Sequence, residues 1–353
     1  MISDKTKKII LTFFIVPIFI PLLIIFIFNY INDKPLLSFK DVESPNWIVK
    51  GETMGGIPWN ITINSTYVDT LILRQKVNSI LTDFNNIAST YIDDSEITKL
   101  NQSQLGSIHL SAELCYLLDK SIEYCDLSDG YYDVTVMPLV NLWNFGYENN
   151  DLEYPTTMQV NEALKHVNCK QLSLLKCNLQ KNQNMNIDLS SIAKGYAVDI
   201  VSEFLTNFGF NNHIVEIGGE LRVNGFSNGK NWIVGILDPI NSDSLLSTIA
   251  ITDKSVASSG TYNNYFIEDG VKYSHIINPK TGYPIKVNIL GSTVIAEKCI
   301  DADALATIAM LIPPLESIKI FKSLDVEGVI TAVNQNNETV LYKSKGFDDY
   351  LKK

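Results

Sequence analysis

Between Met185 and Leu205 the chain changes its hydrophobic period within one turn, and few arrangements can follow. Met185, Ile187 and Leu189 alternate with polar residues as one face of a strand does. Ile192, Ala193, Tyr196, Ala197, Ile200, Val201, Phe204 and Leu205 then recur three and four apart, the spacing of an amphipathic helix. A strand delivering straight into a helix is the expectation. Ser190 or Ser191 would accept from the first unpaired backbone N–H groups, and Gly209 after Phe208 would take the left-handed conformation that closes a helix. Asp188 at the strand end and Lys194 in the first helical turn put charge at a helix N-terminus, a place that favours an anion such as phosphate. An ordinary capped helix with a surface lysine satisfies the same letters.

The 353 residues suffice for one large globular body or two packed lobes. Ile9 to Phe28 carries no charge and matches the roughly 20 apolar residues that span a bilayer. No small-residue cleavage site follows, so the run reads as an uncleaved signal-anchor. Lys5, Lys7 and Lys8 precede it, which places the short N-terminus in the cytoplasm and the body outside. The layout expected is a cytoplasmic N-terminus over 1–8, a transmembrane anchor over 9–31, a tether over 32–50 and a folded domain over 51–353. A net charge of −11 without a Lys/Arg cluster argues against a nucleic-acid surface.

Five cysteines do not make a dense framework. Cys115 and Cys125 share one face of a predicted helix, where their spacing separates the sulfurs by about 15 Å, so both are expected in the core and not bonded to each other. Cys169 and Cys177 flank the alternating QLSLLK and could pair if that run folds back. No Cys/His cluster suggests zinc.

Along the chain, Gly55-Gly56 after Met54 suggests a tight turn before a strand through Trp59, Ile61 and Ile63. Val68, Leu71, Ile72, Ile80, Leu81 and Phe84 predict a helix to Ala88, and Ser95 a cap for a short helix. Tyr131 onward predicts a strand broken by Pro138 into a shaped loop, where Trp143 and Phe145 could line a planar-ligand pocket or fill a core. Ser255 to Gly260 is small and polar enough for a phosphate to approach backbone, and Tyr265 to Ser274 predicts a hairpin about Asp269-Gly270. His275 to Ile285 predicts a structured loop. In the helix predicted from Ile300 to Ile312, Asp303 and Thr307 are four apart and share a face, offering a carboxylate and a hydroxyl to a hard cation. The simpler use has Asp301 or Asp303 as an N-cap or first-turn acid and Thr307 bonded to a carbonyl.

Taken together, ETMGG, SEITKLN, YDVTVMPLVNLWNFG, IDLSSIAKGYAVD, EIGGELRVNG, ASSGTYNNY, SHIINPKTGYP and DADALAT, in that order, resemble the ApbE family of FAD:protein FMN transferases over nearly all of Gly51 to Val333. The resemblance implies an α+β fold, a single large two-lobed, T-fold-like domain, here behind an N-terminal transmembrane helix. It implies a magnesium-dependent enzyme that moves FMN from FAD onto a Thr or Ser hydroxyl of a target flavoprotein and releases AMP. Carried across, Met54, Tyr91, Trp143, Asn144, Phe145, Asp188, Lys194 and Ile277 are implied flavin-nucleotide contacts, and Asp303 and Thr307 side-chain ligands of Mg²⁺. The resemblance implies that the residue at Ser191 faces the metal too. In family members it is often Ala, giving only its carbonyl, whereas here a hydroxyl is also available. Lys194 at the helix start would add cationic charge, and His275 is the candidate to take the proton of the attacking hydroxyl because an unperturbed imidazole titrates near neutrality, a turn-stabilising His being the simpler use. The expected partner is a flavoprotein subunit of a membrane redox complex, met on the outer side of a bacterial inner membrane. An FAD pyrophosphatase yielding FMN and AMP, or a non-catalytic membrane-tethered flavin-binding protein, are the alternatives.

Overall fold

The computed structural model describes residues 43–146, 154–181, 185–241, 243–261, 265–268, 271–285 and 288–352. The anchor expected over 9–31 and the turn at Asp269-Gly270 lie outside them. Among the described residues no helix is long and apolar enough to cross a membrane. Residues 45–353 form one compact unit. Its first strand, β1 (Asn46–Thr53), begins inside the stretch read as tether.

The centre is an eight-stranded antiparallel sheet. Beside β1 lie β2 (Ile57–Asn64), β6 (His213–Ile217), β7 (Glu220–Asn224), β10 (Lys254–Gly260), β13 (Ile289–Ala296), β14 (Glu327–Val333) and β15 (Thr339–Lys343), in that spatial order. Alternation assigns the two faces. Ala257, Val294 and Ile330 belong to the main core, shared with helices α1 (Thr70–Ala88), α6 (Ala193–Asn207) and α7 (Cys299–Leu311). Their neighbours Val256, Ile295 and Val329 point the other way, onto Trp232, Val234, Ile236 and Ile249 of the hairpin β8 (Trp232–Leu237) and β9 (Leu245–Ile251). α7 is buried nearly all round, as an apolar helix between a sheet and another helix must be.

Helix α2 (Glu96–Gln102) is capped by Ser95, as the sequence predicts. Helix α3 (Ala112–Leu127) leads to α4 (Met137–Leu142) and α5 (Thr157–Leu164). β3 (Gly106–His109), β4 (Ser173–Leu175) and β5 (Asn178–Lys181) form a small sheet, and β11 (Tyr265–Glu268) pairs with β12 (Val271–Ser274). α8 (Pro314–Ser323) closes the helix set.

Several expectations are corrected. The strand expected from Tyr131 is absent, and Pro138 sits in the first turn of α4, where its missing N–H costs nothing. Residues 185–189 join no ladder: their alternation reflects burial, with a single bridge between Val136 and Asn186. Ser255 to Gly260 lies in strand β10, whose Ser258, Ser259 and Gly260 reach the cavity described below. The buried stripe of α1 is Leu73, Val77, Leu81, Phe84 and Ala88, leaving Leu71 and Ile72 exposed. The cysteines pair between elements, Cys115 with Cys177 and Cys125 with Cys169, at Cα separations of 5.2 and 6.2 Å. The run between Cys169 and Cys177 does fold back, but both sulfurs meet α3 and not each other. Cys299 is unpaired and buried.

Candidate active site

The start of α6 has no side-chain cap of its own. Ser190 turns away, its N–H donating to Asp188 Oδ1 at 2.8 Å, and Ser191 Oγ donates to the Tyr132 hydroxyl at 3.0 Å. The cap comes from α7: Gly195 N–H donates to Asp303 Oδ2 at 2.9 Å. The service is returned, because Asp199 on α6 accepts from Cys299 and Ile300 N–H at 3.0 and 2.9 Å and closes the N-terminus of α7. Arg222 donates to the same Asp199 carboxylate at 2.7 Å. Asp303 caps the neighbouring helix and not its own, while Asp301 is the first-turn acid of α7 and accepts from the Tyr124 hydroxyl at 2.6 Å.

Gly195 lets the helices meet. A Cβ there would lie 2.4 Å from the Cys299 carbonyl oxygen and 2.8 Å from Asp303 Cβ. At the far end of α6 the sequence expectation holds: Gly209 has φ +98°, and Phe210 and Gly209 N–H return to Leu205 and Thr206 carbonyls at 2.9 and 3.0 Å.

Beside this junction Lys194 Nζ lies 2.6 Å from Glu220 Oε1 and 3.7 Å from Asp303 Oδ1. Burial works to lower the Lys194 ammonium, and the Asp303 and Glu220 carboxylates outweigh it, holding it above its ordinary range. Burial pushes the Glu220 carboxyl up, with Asp303 acting the same way and Lys194 against it. Glu220 Oε2 is buried without a protein partner. Burial also raises the Asp188 carboxyl. Sequence reading missed Glu220: an acid after two glycines at a strand start carries no sign that it meets a lysine on α6.

These groups face a cavity of about 490 Å³, within the range of small-molecule sites. Of the residues singled out by sequence, Met54, Tyr91, Phe145, Asp188, Ser191, Lys194, His275, Ile277, Asp303 and Thr307 line it. Met54 holds a left-handed backbone, φ 49°, at the tip between β1 and β2. Thr307 Oγ1 lies 3.4 Å from Ser259 Oγ on β10. Trp143 and Asn144 do not line the cavity. Trp143 is buried behind it, donating Nε1–H to the Gly282 carbonyl at 2.8 Å and stacking on Tyr273, because helix α4 turns the indole into the core. Asn144 follows α4 with φ 60° and is exposed.

The ApbE family profile matches residues 55–330. The chain belongs to the ApbE family. This ApbE-family chain is 34% identical over 315 residues to a protein of Vibrio cholerae serotype O1 named FAD:protein FMN transferase, covering 86% of this chain and 92% of that one. A Haemophilus influenzae protein of the same name is 38% identical over 244 residues, 66% of this chain and 70% of the relative. In structure it is similar to the flavin transferase ApbE from Vibrio cholerae, TM-score 0.81 at 32% identity, over 87% of this chain and all of that one. It is also similar to the apo flavinyl transferase ApbE of Pseudomonas stutzeri, TM-score 0.79 at 27% identity, over 88% and 98% of the two chains. The mixed helix-and-sheet ApbE fold expected from sequence is the one observed.

The residues fit a hard divalent ion of the Mg²⁺ kind. Asp303, Thr307, Ser259 and Ser191 offer only oxygen, and no group of three or more His, Cys, Asp or Glu gathers among the described residues. One or two carboxylates completed by substrate phosphates is the donor set Mg²⁺ favours over an all-protein cage.

Proposed function

We propose that this chain moves FMN from FAD to a Thr or Ser hydroxyl of an acceptor flavoprotein, leaving a phosphoester-linked flavin and releasing AMP. The observation that carries the reading is the meeting of Asp303 with the start of α6 beside Lys194, on a cavity wall shared with Asp188 and His275. The names of the relatives supply the reaction class.

In this reading Met54, Tyr91, Phe145 and Ile277 frame the flavin, and Trp143 stiffens the wall behind them. Asp188 orients the nucleotide. Lys194, held in place between Glu220 and Asp303, puts a positive charge beside the diphosphate. His275 accepts the proton of the acceptor hydroxyl as its oxygen attacks the FMN-side phosphorus. The bond from that phosphorus to the bridging oxygen breaks, and AMP departs with that oxygen. Asp303, Thr307 and Ser191 would hold Mg²⁺, which when bound supplies Lewis-acid charge to the phosphate oxygens.

Ile9 to Phe28 would anchor the chain once through a bacterial inner membrane, with the catalytic body on the extracytoplasmic side near its acceptor, a subunit of a membrane redox complex. Two disulfides support that side, since such bonds persist in oxidising compartments.

The test is mass spectrometry of an acceptor incubated with the full chain in detergent, FAD and Mg²⁺. A flavin-phosphate adduct on a Thr or Ser is expected. An unmodified acceptor with AMP released at the same rate with or without it would replace transfer by FAD hydrolysis.

A further inference from the structure

The side chain of Asn101, in the last turn of α2, is folded against the backbone of a residue far along the chain. Its Oδ1 accepts from Ile187 N–H at 2.8 Å and its Nδ2 donates to the Ile187 carbonyl at 2.9 Å. One carboxamide thus satisfies both backbone groups of one residue, as a neighbouring strand would, in a segment that joins no ladder. Nδ2 also lies 3.4 Å from the sulfur of Met137, the first residue of α4. Next along, Asp188 N–H donates to the Val134 carbonyl at 2.7 Å. Met137, Asp188, Ser190 and Ser191 line the cavity, and Asn101 stands behind them without lining it.

Asn101 is itself held. The Lys181 ammonium donates to the carbonyls of Leu100, Asn101 and Ser103 at 2.9, 2.8 and 3.0 Å, using all three of its hydrogens on the C-terminal end of α2. Lys181 is 3% exposed, so its charge is buried against the negative end of a helix of seven residues. Lys181 ends β5, and the turn before β5 is tied through Cys177 to Cys115 on α3. The path from α3 to the cavity wall is therefore continuous: disulfide, strand, ammonium, helix end, carboxamide, Ile187.

We propose that Asn101, held by Lys181, is a positioning residue for FAD, fixing the segment from Ile187 to Ser191 so that Asp188 and Ser191 present their oxygens in one place. This rests on the flavin-transfer reading above. Asn101 touches no substrate, and its effect is exerted through the wall it braces.

The experiment compares Asn101→Leu, Asn101→Asp and Lys181→Met with Asn64→Ala in the full-length chain. Asn64 is a comparable clamp elsewhere, donating to Asn46 Oδ1 at 2.9 Å and accepting from Asn228 N–H at 3.2 Å. KM for FAD, KM for acceptor and the FAD dissociation constant from flavin fluorescence are read well below every melting temperature. Asn101→Leu is expected to raise KM and the dissociation constant for FAD at least tenfold and leave KM for acceptor within twofold. Asn101→Asp, which keeps the bond from Ile187 N–H, should raise them about threefold, and Lys181→Met by an intermediate factor. Asn64→Ala should lower the melting temperature and leave FAD binding alone. FAD affinity unchanged in Asn101→Leu, or lost equally in Asn64→Ala, overturns the proposal. If the parent chain binds FAD but transfers nothing to a proven acceptor, the transfer reading fails while the affinity comparison still decides this one.

Discussion

Asp303 does two jobs that separate chemically. As an acceptor for Gly195 N–H it terminates α6, and as an anion 3.7 Å from Lys194 it sets the charge of the cavity wall. Asn in its place keeps an acceptor and removes the charge. Asp303→Asn is therefore expected to stay folded, with stability lowered by about 1 kcal/mol, and to lose FMN transfer by at least about a hundredfold, the scale of losing one electrostatic contributor. Asp303→Ala loses both functions and should cost about 1–2 kcal/mol in addition to activity. Denaturant midpoints beside initial rates of AMP release distinguish the two, and equal activity in Asp303→Asn and the parent would remove the carboxylate from the mechanism.

At the scale of the elements, the contact of α6 with α7 depends on the absence of one side chain. Gly195→Ala puts a methyl 2.4 Å from a backbone carbonyl that cannot swing aside, and overpacking of that kind costs about 1–3 kcal/mol. A midpoint as high as the parent's would show that the helices slide apart at no cost. The same helix is pinned to β6 by His213, whose Nδ1 donates to the Phe210 carbonyl and whose Nε2 accepts from Ser202 Oγ, each at 2.7 Å. Burial lowers this imidazole from 6.5 to about 4, with Arg222 acting in the same direction and the Phe210 carbonyl and Asp253 opposing. The folded chain thus refuses a proton that the unfolded chain accepts. The contribution of His213 is complete above about pH 6.5 and fades by up to about 3 kcal/mol as pH falls towards 4. His213→Gln should lower stability at neutral pH and flatten its slope across that window, as followed by thermal melts at several pH values.

Much at this level is legible in the letters. The Ser95 cap, the Gly209 closure and α7 follow from period and cap chemistry, because local residues decide them. What is not legible depends on partners brought from far along the chain. Ser190 and Ser191 look like caps until Asp303, 108 residues beyond Gly195, arrives to take that place. Residues 185–189 alternate like a strand because a cavity wall also has an inside and an outside. Trp143 and Phe145 are two residues apart, yet only Phe145 reaches the cavity, since the short helix before them sends the indole inward. Glu220 lies within EIGGELRVNG, but nothing in those letters says that it meets Lys194.

For the whole molecule, the disulfides enclose long loops, 62 residues apart in sequence for Cys115–Cys177 and 44 for Cys125–Cys169. Chain entropy assigns about 4 kcal/mol to closing loops of that size. Cys177→Ser and Cys169→Ser are each expected to lose about 2–5 kcal/mol, and protein made under reducing conditions should melt below oxidised protein. Identical melts with and without reductant would show that the bonds contribute nothing to the native state.

The exchange of carboxylates between α6 and α7 reaches further than either acid. Asp199 terminates one helix and Asp303 the other, so each lacks a proper beginning until its neighbour has arrived. Neither can be assembled first and kept waiting. Ordering the groups on the cavity wall and completing the protein interior become a single cooperative event, so a half-built chain carries no finished pocket.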